Sequence, residues 1–206
     1  TRPAANSINL DVNGSNNSIY IEQVGDSNTI RGIGETPARV TGSDNSITVK
    51  QGTIGTGQNE IQLRVYGDQN TLNLSQSRTT AGIETGTNGH YQAVDITGYQ
   101  NTLTTQQSNT TLGGHYQETT ITGNLNNVSA IQNDNGNKAM FTTINGNNNT
   151  VSATQKGTGQ HQLSTALTGN YNSVSVTQDG STANKANIDL TNGGGPAILD
   201  LQQSGG

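Results

Sequence analysis

GNNNTVSATQ, residues 146–155, and GNYNSVSVTQ, residues 169–178, are the same ten-residue phrase written 23 residues apart. Both place glycine first, asparagine fourth, valine sixth and glutamine tenth. The template Gly-x-x-Asn-[Ser/Thr/Asn]-aliphatic-x-y-x-Gln also starts at Gly14, Gly42, Gly67, Gly98 and Gly123, which makes seven copies in register. A degenerate eighth copy starts at Gly194, where Ala197 replaces asparagine while Leu199 and Gln203 keep their places. The spacings are 28, 25, 31, 25, 23, 23 and 25 residues. Self-similarity at such a period is the mark of a repeat architecture.

Within each copy the alternation is that of a strand. The sixth position is Ile19, Ile47, Leu72, Leu103, Val128, Val151, Val174 and Leu199. The eighth is Ile21, Val49, Leu74, Thr105, Ala130, Ala153, Val176 and Leu201. The intervening positions are mostly serine, threonine, tyrosine or charged. This period of two leaves one face to be buried. A second strand precedes each glycine, with Val12, Val40, Val65, Ile96, Ile121, Ile144 and Leu167 two residues before it. The unit is therefore strand, short arc at Gly-x-x-Asn, strand ending at Gln, then a longer arc. Residues Arg31–Thr36 and Arg78–Thr87 are read as long arcs that absorb insertions outside the stack.

A two-stranded unit this thin cannot bury its own apolar face, so equivalent units must stack. The expectation is an all-β chain: a β-solenoid of about eight two-stranded rungs with parallel stacking, about 4.8 Å per rung. It forms a single domain over residues 1–206, with short tails at 1–5 and 204–206.

The bulk composition agrees. Of 206 residues only 28% are hydrophobic and 3% aromatic, too few for an ordinary globular core. Yet only 11% are charged and there are three prolines, which is unlike most disordered chains. Order must then come from hydrogen bonds between backbones and amide side chains. Stacking the units aligns Asn17, Asn45, Asn70, Asn101, Asn126, Asn149 and Asn172 in one column. It aligns Gln23, Gln51, Gln76, Gln107, Gln132, Gln155, Gln178 and Gln203 in another. An amide both donates and accepts, so at this rise each side chain bonds the one above and the one below. These fifteen residues are the candidate assembly site. The asparagines also have an alternative role confined to their turns.

Other chemistry is sparse. A net charge of −5 argues against nucleic acid as a partner. There is no cysteine, hence neither disulfide nor thiolate metal site. No apolar run reaches the roughly 20 residues of a membrane-spanning helix, and membrane insertion is not expected. His90, His115 and His161 fall at matching places before the first strand of their units, but no cysteine or carboxylate cluster accompanies them. They read as arc or strand-start residues, and neither a metal nor a cofactor is expected. The acids are scattered, without the recurring pair that glycoside hydrolysis requires, so no enzyme is expected. Tyr91 and Tyr116 occupy matching outward positions, as stacked surface rings or as a strip that contacts carbohydrate.

QKGTGQHQ from Gln155, QVGDSNTI from Gln23 and QDGSTANKA from Gln178 resemble the curlin repeat, the unit of the secreted bacterial amyloid of biofilm matrices. That repeat is built on Gln-x-Gly-x-Gly-Asn; here Gln160 stands in place of the asparagine in the first stretch. The stretches from Gln76 and Gln106 lack the glycines, and the period is longer and more variable than in curlin. The resemblance implies an extracellular fibre subunit, secreted through an outer-membrane pore and started by a nucleator. Neither flank, Thr1–Ala5 or Ser204–Gly206, is long enough for a capping helix, so open ends and head-to-tail self-association are expected. The alternative reading is an ice-binding or surface- or carbohydrate-binding solenoid. It would use the hydroxyl rows Thr150–Ser152–Thr154 and Ser173–Ser175–Thr177.

Overall fold

The computed structural model describes residues 5–56, 58–82, 88–109, 114–192 and 195–205. In chain order the strands are β1 Ser7–Ile8, β2 Leu10–Asn13, β3 Ser18–Asp26, β4 Thr29–Arg31, β5 Ala38–Thr41 and β6 Ser46–Thr56. They continue with β7 Gln58–Tyr66, β8 Thr71–Gly82, β9 Asn88–Thr97, β10 Thr102–Asn109, β11 Tyr116–Thr122 and β12 Asn127–Gln132. The last are β13 Ala139–Asn145, β14 Thr150–Gln155, β15 Gln162–Thr168, β16 Ser173–Gly180, β17 Lys185–Thr191 and β18 Ile198–Gly205.

Strands alternate between two sheets. One is ordered β1-β4-β7-β9-β11-β13-β15-β17, with β2 and β5 continuing its first two levels. The other is β18-β16-β14-β12-β10-β8-β6-β3. Every pairing is parallel and joins equivalent template positions, as in Leu103↔Val128, Val128↔Val151 and Val151↔Val174. The chain is thus an all-β solenoid of about seven turns.

The core lies between the sheets and is formed by the predicted rows. Leu63, Val65, Ile96, Ile121 and Ile144 come from one sheet, and Leu72, Leu74, Leu103, Val128 and Val151 from the other, all at most 2% exposed. Leu10, Ile19, Ile21, Leu190, Leu199 and Leu201 are only partly buried, because they occupy the outermost levels described. The middle rungs also bury Thr105, Thr119, Thr142 and Thr165 in these rows. The chain order of the elements makes nearly every contact one between residues a full turn apart.

The short arc explains why glycine recurs. Gly98 and Gly123 have φ of 141° and 132°, in the left-handed half of backbone space. A Cβ on Gly123 would also lie 1.9 Å from the carbonyl oxygen of Gly146 in the next turn. Two residues later the backbone is again left-handed, with φ between 54° and 59° at Asn16, Asp44, Gln69, Gln100, Leu125, Asn148 and Tyr171. Asn and Asp tolerate that conformation. Leu125 and Tyr171 do not share that local compensation, and the surrounding ladder holds them there.

Four local expectations need correction. Residues 78–82 are not an arc: they extend β8, which pairs with β6 through Thr53↔Arg78 and, after a register shift, Gly55↔Gly82. Residues 83–87 lie outside the described ones. The insertion near Arg31 divides a strand rather than joining two. Arg31 ends β4, the chain loops out through a 3-10 turn at Ile33–Glu35, and β5 resumes at Ala38. Gly32 N–H bonds Thr36 O across the loop at 2.6 Å, and Asn9 spans the gap by bonding Ile30 O and Ala38 N–H. In the eighth unit the place of the arc glycine is taken by Asn192, whose N–H bonds Thr168 O as Gly169 N–H bonds Asn145 O. Gly194 lies outside the described residues, and two extra residues bring the chain back into register at Ala197. Finally, Ser204 and Gly205 belong to β18, paired with Asp179 and Gly180, and not to a tail.

Gly123→Ala should lower stability by about 3 kcal/mol or more, since both conformation and space forbid the methyl group. Gly52→Ala, which meets nothing within 4 Å, should leave the melting temperature nearly unchanged. Thermal melts of the two variants check this.

Candidate functional site

Each glutamine of the column lies in the second-sheet strand of its unit, at its last residue in β12 and β14 and before its end in the others. From Gln23 to Gln203, each Nε2 donates to Oε1 of the next glutamine toward the C-terminus, at 2.8–3.0 Å in all seven steps. The second N–H crosses to the other sheet and bonds a carbonyl at or near the start of its strand. Gln107 reaches Tyr91 O, Gln132 Tyr116 O, Gln155 Ala139 O and Gln178 Gln162 O, at 3.0–3.1 Å. The glutamines therefore tie turns to each other and sheet to sheet. Gln76, Gln107, Gln132, Gln155 and Gln178 are fully buried.

The asparagine column runs the other way. Asn45, Asn70, Asn101, Asn126 and Asn149 each donate Nδ2 to Oδ1 of the preceding asparagine, at 3.0–3.1 Å. That Oδ1 also accepts the backbone N–H of the same residue, and the second Nδ2 hydrogen goes to the arc glycine of the next turn, as Asn126 to Gly146 O at 2.8 Å. The turn role and the ladder role are thus the same geometry. The column breaks at its last member. Asn172 keeps its backbone bond to Asn149 Oδ1, but its Nδ2 has no partner, because the next arc begins with Asn192 and is longer. The opposite senses of the two columns set their amide dipoles against each other.

A third column was not read from the sequence. Asn6, Asn28, Asn59, His90, His115, Lys138, His161 and Asn184 stand at one level after another where the long arc passes into the first sheet, Asn59 and His90 already within β7 and β9. Asn28 N–H bonds Asn6 Oδ1 and His90 N–H bonds Asn59 Oδ1, both at 3.0 Å. His115, Lys138 and Asn184 N–H groups point at Nδ1 of His90, His115 and His161, at 3.1, 3.4 and 3.2 Å. A backbone N–H can only donate, so these Nδ1 atoms accept. Nε2 then carries the proton and donates to a carbonyl of the arc itself: Ser77 O, Ser108 O and Lys156 O respectively. Each imidazole does the work of an asparagine amide. The available signal was a distance of eight residues to the arc glycine at Asn6, Asn59, His90, His115, Lys138 and His161, obscured by the change of residue type and, at Asn28, by the insertion after Arg31.

This use of both ring nitrogens leaves no lone pair for a metal, although the His90 and His115 rings are 5.0 Å apart. His161 is separated from them by Lys138. Among the described residues no three histidine or acidic side chains cluster as a cation site. Burial first, and then the charge of Lys138, push His115 down to about pKa 4. Burial pushes Lys138 down to about 8, and its Nζ is held by Asn135 O and Gly157 O at 2.5 and 2.7 Å.

Outside this column, Tyr91 and Tyr116 stack with centroids 4.7 Å apart and planes at 11°, and Phe141 continues the row at 5.5 Å. The ring faces are turned to one another, so this strip offers edges rather than a flat aromatic platform to a sugar. An open groove of about 600 Å³ runs beside Asn59, Glu60, His90 and Tyr91. Its carboxylate, Glu60, is already held by Arg31 at 2.8 Å and Gln62 at 2.6 Å. On the second sheet the hydroxyl rows lie in register, with Thr150↔Ser173, Ser152↔Ser175 and Thr154↔Thr177. No described helix is long and apolar enough to cross a membrane.

In comparisons with known proteins, the chain matches no family model, no curated protein and no solved structure.

Gln132→Leu strands the Gln107 Nε2 hydrogen, Gln155 Oε1 and Tyr116 O, and should cost about 3 kcal/mol. Gln106→Leu, on the outward face of β10, should cost little; urea unfolding of both variants reads the difference. A second expectation concerns pH. The unfolded chain protonates His115 near its ordinary value of 6.5, the folded chain only near 4. Between these values the unfolded state binds more protons. The contribution of His115 to stability is thus constant above about 6.5, falls as pH drops toward about 4, and is flat below. His115→Asn keeps the acceptor for Lys138 N–H and should flatten that slope in melts recorded from pH 7 to 4.

Proposed function

We propose that this protein is a structural subunit of an extracellular curli-like fibre, polymerising head to tail to support a biofilm matrix and adhesion. The single observation that carries the reading is that every level presents the same ladder to its neighbours, in backbone, core rows and glutamine column alike. A surface that binds seven successive copies of itself inside one chain suits an eighth from another chain. The outermost described levels keep this pattern and leave inward-row apolar residues exposed, Ile8 at 51% and Val12 at 43%, with Leu199 and Leu201 only partly buried at the other end. A contact between the two different ends of a solenoid is heterologous and yields an open filament. The extracellular setting, the secretion pore and the nucleator rest on the curlin resemblance of Gln155–Gln162 and its sister stretches.

The hydroxyl rows of β14 and β16 favour a second reading, a module that binds ice or a polysaccharide surface. Elsewhere that sheet carries Glu22 and Lys50, an ion pair at 3.6 Å, and Lys156 and Asp179, one at 3.2 Å, which break the array.

Electron microscopy of the concentrated protein decides between them. Unbranched fibres with an axial repeat of about 38 Å per molecule, the height of eight levels, are expected. Single particles that show thermal hysteresis would overturn the fibre reading in favour of the second.

A further inference from the structure

The internal interfaces obey one register rule: a residue sits over its template equivalent in the next turn. β17 follows β15 with Ile188 on Thr165, Asp189 on Ala166 and Leu190 on Leu167. β2 meets β5 with Leu10 on Ala38, Asp11 on Arg39 and Val12 on Val40. Carrying the rule from the last described level to the first level of a second copy sets Ile188 on Leu10, Leu190 on Val12, Leu199 on Ile19 and Leu201 on Ile21. It also sets Gln203 beside Gln23.

The glutamine column is complementary at that joint. Gln178 Nε2 uses one hydrogen for Gln162 O and the other for Gln203 Oε1. Gln203 Nε2 bonds Lys185 O at 3.2 Å, which leaves its other hydrogen directed along the column. At the opposite end, no described residue donates to Gln23 Oε1. The asparagine column adds nothing, because Ala197 would face Asn17 with a methyl group.

The same register places Asp189 over Asp11. Within the molecule this outward column pairs its acids with arginine, Asp11 with Arg39 at 3.7 Å and Asp95 with Arg64, and its one like-charged step, Arg39 on Arg64, is offset by those two acids. Asp189 lies next to neutral Ala166 and accepts a bond from Thr191 Oγ1 at 3.3 Å. On the outward face of β17, Lys185 stands four residues from Asp189, outside this row, and β15 carries no charge.

We propose that the joint between two copies matches in its core rows and glutamine column but opposes Asp189 to Asp11, so that association of this chain with a second copy is gated by charge. The inference rests on the head-to-tail reading and names the contact that governs it. Like charges directly opposite on paired strands repel, and opposite charges attract. Salt screens both.

The test follows fibre growth by light scattering and electron microscopy for the wild type, Asp189→Lys, Asp189→Asn and Glu118→Lys. Glu118→Lys makes the same charge change as Asp189→Lys on a middle level, far from either end. Melting curves establish that each variant is folded. At low salt Asp189→Lys should elongate about tenfold faster than the wild type, the effect of turning a repulsive pair into an attractive one. Asp189→Asn should lie between, and Glu118→Lys close to the wild type. Added salt should speed the wild type and slow Asp189→Lys. Equal rates for Asp189→Lys and Glu118→Lys would overturn the gate while the fibre reading stands. The absence of end-to-end association in every variant at every salt concentration would overturn the fibre reading and the gate together.

Discussion

A parallel ladder advances about 4.8 Å per turn, and everything in this molecule follows from that rise. At such a distance the neighbour of any inward side chain is its own counterpart one turn away. A residue type is therefore tolerated at a position when it can stack on itself. Aliphatic side chains meet this condition by packing, and amides by donating and accepting at once. Charges do not meet it, and in the outward column the adjacent Arg39 and Arg64 are each paired with an acid on the far side, Asp11 and Asp95.

The amide columns also explain how a chain with 28% hydrophobic residues encloses a core. Apolar rows fill the space between the sheets, while the corners, where backbone polar groups would otherwise be stranded, are closed by side chains. Gln107 seals one corner by reaching Tyr91 O, and Asn101 seals the other by reaching Gly123 O. Net gains per bond are small, about 1 kcal/mol, but each unmade bond costs more than that. The columns thus act on register more than on total stability. A slip by one residue would unpair every amide at once and turn the aliphatic rows outward.

The long arc shows the same rule with looser chemistry. Asn59, His90, His115 and Lys138 follow one another in a single buried column although they share neither size nor charge. His90, His115 and Lys138 each carry a donor that reaches a carbonyl of their own arc, while Asn59 donates to Asn28 Oδ1. The asparagines and histidines also supply an acceptor for the backbone N–H of the next turn. Imidazole does this only when neutral, which makes the arc sensitive to acid where the amide corners are not.

The repeat phrase determined the all-β solenoid, the aliphatic rows and both amide columns, because strict spacing and alternation are one-dimensional facts that survive any path of the arcs. Asn17 through Asn149 and Gln23 through Gln203 were legible for this reason. Four things were decided only in three dimensions. The arc that replaces its glycine with Asn192 depends on which backbone N–H meets Thr168 O. The extension of β8 through residues 78–82 depends on a partner strand that extends equally far. The opposite senses of the two ladders depend on which side of each amide faces the arc. The histidine–asparagine column joins unlike residues, so no repeated letter marks it and only their shared spacing to the arc glycine hints at it. In each case the deciding quantity is the position of a donor relative to an acceptor one turn away, and a sequence records spacing along the chain but not that direction.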